Sequence, residues 1–121
     1  MKPKRAYVDY LRDILDAAQK ARRFVEGIEF DSFVANDEKV YAVIRALEIV
    51  GEAAKKVPKS VQKRYPEVPW PEVAGMRDKL IHGYFGVNLR RVWQTVLEDL
   101  PVLQVGIERI LADLDTPDSR N

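Results

Sequence analysis

The run NLRRVWQTVLEDLPVLQVGIERILADL, Asn88 to Leu114, decides the fold. Its apolar residues Leu89, Trp93, Val96, Leu100, Leu103, Ile107, Ile110 and Leu114 follow one another in alternating steps of four and three. That spacing keeps them on one side of a helix and makes the seam of a bundle or coiled coil. Asn88 can cap the start, since its side chain can accept a bond from a free N–H of the first turn. Pro101 falls inside the pattern and has no N–H to give, so a kink is expected there.

Two further amphipathic segments precede it. From Pro3 to Glu26 the residues Tyr7, Tyr10, Leu11, Ile14, Leu15, Ala18 and Val25 form one stripe, and Gly27 permits a stop. From Asn36 or Asp37 onward Val40, Val43, Ile44, Leu47, Val50, Ala54 and Val57 form a second stripe, which Pro58 ends. Arg45, Glu48, Glu52 and Lys56 mark its other face, where Glu52 and Lys56 can pair one turn apart. A connection containing Pro58, Pro66, Pro69 and Pro71 follows, with a turn or two over Ser60 to Tyr65. Pro71 suits the first turn of another helix, which carries Val73, Met76 and Leu80 inward and fades between Gly83 and Gly86. No strand-like alternation and no internal repeat interrupts this order. The expected fold is therefore all-α: a four- to five-helix bundle over residues 1–115, with a polar tail over 116–121. The stripes exceed what a small monomer core needs, so a homodimer is expected.

A hydrophobic share of 46% against a charged share of 32% fits a water-soluble globular chain of 121 residues, long enough for one domain. The chain holds no cysteine, which leaves neither a disulfide framework nor a thiolate nucleophile. The basic start, Met1 to Arg5, runs into the charged stretch Tyr7 to Asp13, so it lacks the apolar core of a signal peptide. No apolar run approaches the ~20 residues of a membrane span, and the reading is cytoplasmic. The net charge is +1, yet nine basic residues against three acidic ones between Lys55 and Arg91 leave that stretch at +6. Such a region can attract a phosphate backbone or an acidic partner; it is also what solvated helix ends look like.

Several chemistries drop out. One histidine and no cysteine cannot assemble a usual zinc site, and no acidic cluster has ligand spacing, so no metal or cofactor is expected. The six glycines form no phosphate-binding loop. None of the three serines, Ser32, Ser60 and Ser119, sits in a nucleophile motif. What remains is GMRDKLIHGYFG, Gly75 to Gly86, which gathers Arg77, Asp78, Lys79, His82 and Tyr84 near the end of a helix. Singly, each has an ordinary use: His82 as a helix-end partner, Arg77 in an ion pair, Tyr84 as a packed aromatic. Trp70 and Trp93 are assigned to packing.

The combination is more specific. Arg77-x4-His82-x-Tyr84, with Phe85-Gly86 and Val92-Trp93 after it, resembles the HepT-like toxins of the HEPN superfamily. Asp78 takes the polar position after the arginine. The likeness extends to Leu47-Glu48-Ile49-Val50-Gly51-Glu52-Ala53, to Pro69-Trp70 and to Glu98-Asp99-Leu100-Pro101, and so spans most of residues 5 to 112. The resemblance implies a HEPN-like dimer with motifs from both subunits lining one cleft. It implies metal-independent cleavage of RNA by Arg77 and His82, with Asp78 supporting. It also implies a type VII-like toxin–antitoxin pair, in which an MntA-like nucleotidyltransferase antitoxin transfers AMP onto Tyr84. Lys79, Arg90 and Arg91 are candidate RNA contacts. A non-catalytic RNA- or nucleotide-binding module, partner to a nucleotidyltransferase, and a purely structural helical dimer are the alternatives.

The residue types suit that chemistry. His82 can exchange a proton near neutral pH, and Arg77 can hold a phosphate bidentately as charge builds. Their spacing poses a geometric problem. At 100° per residue, five positions separate Arg77 from His82 by about 140° around an ideal helix. Gly83 could loosen the last turn, and a second subunit could bring another Arg77 and His82 to the cleft.

Overall fold

Helix α1 (Pro3–Phe24) begins a chain whose described residues contain helices and turns but no strand. The computed structural model describes residues 3–82 and 88–115, and the side chains of 7–76 and 88–114. Along α1 the expected stripe is buried at Leu11, Ile14 and Ala18, with Tyr7, Tyr10 and Leu15 partly covered. Ala17 and Ala21 are buried as well and widen that face. Gly27 turns the chain at φ 77°, a left-handed conformation that costs a glycine little. Lys39 Nζ donates to the Phe24 carbonyl at 2.9 Å, placing a cation at the C-terminal end of α1.

A short helix, α2 (Phe30–Val34), follows; it was not expected from the sequence. It is anchored by Phe33, which has no exposed surface. Then comes α3 (Asp37–Lys55), where the Asn36 side chain accepts from Lys39 N at 3.0 Å as its capping chemistry predicts. Val43, Leu47, Val50 and Ala54 are buried along α3, with Val57 just beyond it. On the outer face Arg45 reaches Glu48 at 3.2 Å and Glu52 at 3.4 Å. Lys56 lies over the Tyr10 ring, 5.6 Å from its centroid.

The proline-rich connection is ordered by its own polar groups. It contains α4 (Lys59–Arg64), with Val61 and Val68 buried. Gln62 Nε2 donates to the Val57 carbonyl, and Trp70 Nε1 to the Tyr65 carbonyl, each at 3.0 Å. Partial burial and the neighbouring Asp113 carboxylate hold the Tyr65 phenol above its ordinary pKa. Gly106 allows close packing here, because a Cβ at that position would lie 3.1 Å from Val68 Cγ2.

Helix α5 (Trp70–His82) packs on α3 through Val73 and Met76. The chain is described again from Asn88, which caps α6 (Leu89–Gln94) by accepting from Arg91 N at 3.1 Å. A π turn, Thr95–Asp99, joins α6 to α7 (Leu100–Asp115). The irregularity expected at Pro101 takes this form. Pro101 cannot donate to the Leu97 carbonyl four residues back, and the preceding turn widens until Leu100 N–H bonds the Thr95 carbonyl. Thr95 is buried, and its hydroxyl is satisfied by donating to the Arg91 carbonyl at 2.9 Å. The wider turn also shifts the seam. Val92, Val96 and Leu100 are buried in steps of four, whereas Leu89 and Trp93 are only partly covered. Beyond Leu100 the expected set Leu103, Ile107 and Ile110 is buried.

The bundle thus has α1 packed against both α3 and α7, with α5 lying on α3. Four long segments carry the core, and α2 and α4 add two short ones. No helix among the described residues is long and apolar enough to cross a membrane.

Candidate functional site and family membership

Helix α5 positions the motif. Trp70 fixes its start by burying the indole and bonding the Tyr65 carbonyl, and Val73 N–H closes the first turn on the Pro69 carbonyl at 3.0 Å. Val73 and Met76 then tie one face to the core. The backbone stays α-helical through His82, so Arg77, Asp78, Lys79 and His82 all belong to this helix. The side chains of these four lie outside the described residues, as does all of Tyr84. Since the helix is regular to His82, Arg77 and His82 keep their separation of about 140° around the axis. The fading expected between Gly83 and Gly86 lies outside the described residues.

Beside α5 runs a cleft of 330 Å³. Val73, Met76 and Glu72 form one wall, while Arg91 of α6, Asp99 of the π turn and Val102 of α7 lie opposite. The floor is apolar, and the charged residues Glu72, Arg91 and Asp99 are all exposed. Of the two arginines read as RNA contacts, only Arg91 therefore faces the motif helix. Arg90 points the other way. Its guanidinium lies over the Phe30 ring of α2, 4.1 Å from the centroid, in a cation–π contact.

A second cavity, of 520 Å³, opens behind α6. Its lining includes Arg22 and Arg23 from the end of α1, Trp93 from α6 and Gln104 from α7. Reading the sequence did not single out these arginines. Two consecutive arginines in the last turn of a helix were the available signal, but one that solvated helix ends commonly give.

The family model for ribonuclease HepT-like proteins matches residues 14–110. The chain belongs to this family, and the match takes in Arg77, His82 and Tyr84 together with Arg90 and Arg91. It is 48% identical over 107 residues to a protein of Thermococcus cleftensis named "Probable ribonuclease HepT", covering 88% of this chain and 97% of the relative. It is 41% identical over 119 residues to "Putative RNase MJ1216" of Methanocaldococcus jannaschii, covering 98% of each chain. No solved structure matches the chain significantly. The all-α, HEPN-like fold read from the sequence agrees with the family and with the helices described above.

Proposed function

We propose that this chain is an endoribonuclease that works without a metal ion, the toxin of a type VII-like toxin–antitoxin pair acting in the cytoplasm. The observation that carries the proposal is the family match running unbroken across a motif whose Arg77 and His82 share one helix beside a cleft bearing Arg91. In the reaction His82 takes the proton from a ribose 2′-hydroxyl, and the 2′-oxygen attacks the adjacent phosphorus. The bond to the 5′-oxygen breaks and that oxygen is protonated, leaving a 2′,3′-cyclic phosphate. Arg77, always charged, holds the phosphoryl oxygens as negative charge accumulates on them. Asp78 supports Arg77, and Lys79 and Arg91 attract the flanking phosphates.

One histidine cannot give and take a proton in the same step, and Arg77 and His82 do not share a face of one regular helix. A second copy of the chain resolves both difficulties. The cleft between α5 and the last helix is the face on which that copy docks. It is apolar, it continues onto Val102 and Val105, 68% and 65% exposed, and its rim holds Arg91 and the acids Glu72 and Asp99. A twofold axis through such a face covers the exposed Val102 and Val105 of both copies and leaves Arg91 at the rim, open to RNA.

The antitoxin is an MntA-like nucleotidyltransferase that joins AMP to the Tyr84 phenol oxygen. An adenylyl group there adds bulk and negative charge next to the residues that must receive a phosphate. Tyr84→Phe should retain cleavage and escape neutralisation; it would be checked by cleavage after incubation with the nucleotidyltransferase and ATP. Protection of Tyr84→Phe equal to that of wild type would refute the modification.

The ribonuclease is tested by incubating total RNA with wild-type protein in EDTA and analysing the new ends. Cyclic phosphates at discrete sites are the expected result. Intact RNA from a folded dimer that still binds it would favour the non-catalytic binding module instead.

A further inference from the structure

We infer that the cavity between the end of α1 and the last helix is a second RNA subsite, holding a phosphate and a base of the single strand away from the scissile bond. The inference rests on the ribonuclease reading above and extends it to residues remote from the motif. Arg22 and Arg23 line the cavity together with Trp93, Gln19, Gln104 and Glu26. Two guanidinium groups against one carboxylate leave the lining positive. Arg22 Nη1 donates to Gln104 Oε1, which holds this arginine toward the opposite wall. Neither arginine is in an ion pair among the described residues. Their planar forks suit a phosphodiester better than a point charge would.

Trp93 supplies the other half of a nucleotide site. Its indole is packed edge-on against Phe30, with centroids 5.8 Å apart, and against Phe33 at 5.4 Å. The ring is thereby fixed while part of it stays exposed, as a stacking platform for a base requires. The glutamine amides can donate to or accept from base edges without demanding one sequence. Arg90 adds a third cation beside this cavity. It lies in the first turn of α6, eight residues after His82, and rests on the same Phe30 ring that touches Trp93. Arg90, Trp93 and the pair Arg22 and Arg23 thus make a basic and aromatic surface, the combination that single-stranded nucleic acid requires.

The test uses full-length His82→Ala protein, so that bound RNA is not consumed, and a labelled single-stranded oligoribonucleotide of about 12 residues in EDTA, long enough to span a typical single-strand site. Binding should quench tryptophan fluorescence, and the quenching should vanish in Trp93→Phe, because Trp70 is buried with its N–H already bonded. Adding Arg22→Gln and Arg23→Gln should weaken binding about tenfold at fixed salt and lower the slope of log affinity against log salt by about 1.4. The melting temperature of that variant checks its fold. Unchanged affinity and slope in a folded variant would overturn the subsite, even if wild-type protein cleaves RNA. Quenching at Trp93 by RNA that wild-type protein fails to cleave would keep the subsite and remove the ribonuclease. Normal RNA binding with loss of nucleotidyltransferase binding would assign this face to a protein partner and refute the inference.

Discussion

Replacing His82 by alanine should lower the rate of RNA cleavage by about two to four powers of ten, the usual contribution of a positioned acid or base. Replacing Arg77 should cost about two to three powers of ten, since a charged donor to the developing phosphorane is lost. Both variants should keep their helical content and melt within a few degrees of wild type, because each changes one residue in the last part of α5, beyond the Val73 and Met76 contacts that hold the helix to the core. The measurement is single-turnover cleavage in EDTA beside a thermal melt. A His82→Ala protein that still cleaves at one tenth of the wild-type rate would remove the histidine from the reaction.

The same substitution tests whether the site is shared. If one cleft uses a histidine from each subunit, one as base and one as acid, a dimer with a single His82→Ala chain is nearly inactive. Exchanging wild-type subunits with a ninefold excess of His82→Ala should then lower activity per wild-type subunit about tenfold, since few wild-type chains still meet one another. Independent sites predict no change. Unreduced activity in demonstrated mixed dimers would sink the shared cleft while leaving the role of His82 intact.

What was legible in the sequence follows from what leaves a linear trace. Helices α1, α3 and α7 bury long stripes, and stripes at three- and four-residue steps can be counted. Asn36 and Asn88 were legible because capping is local, a side chain bonding an N–H three residues on. Pro101 announced an irregularity but not its form, because whether a helix kinks or inserts a π turn depends on what packs around it. The turn that formed moved burial from Leu89 and Trp93 to Val92. Helix α2 had no linear trace, since five residues cannot display a period. The motif was legible as a string, while the meeting of Arg22 and Arg23 with Trp93 was not: about seventy positions separate them, and only the packing of α1 on α7 and on the π turn that follows α6 brings them together.

Phe33→Ala should be the most damaging single change outside the motif, and it lies in the element that no periodicity predicts. The ring has no exposed surface, and its removal leaves a cavity beneath Trp93, 5.4 Å away between centroids. A buried phenylalanine truncated to alanine costs about 3–5 kcal/mol, a large part of the ~5–15 kcal/mol that holds a domain of this size together. The melting temperature should fall by about 10–20 °C. Phe30→Ala should cost about 1 kcal/mol, because that ring is only partly buried and what it loses is mainly the edge contact with Trp93 and the Arg90 guanidinium. Thermal and urea unfolding of the two variants side by side make the comparison. A Phe33→Ala protein as stable as Phe30→Ala would mean that α2 is not clamped to the bundle, and that Trp93 is held by α6 alone. A large loss specific to Phe33 would mean that a five-residue helix sets the position of the indole, and with it the wall of the basic cavity. Stability and RNA contact would then depend on the same aromatic cluster, so Phe33→Ala should also weaken oligoribonucleotide binding at temperatures where the protein remains folded.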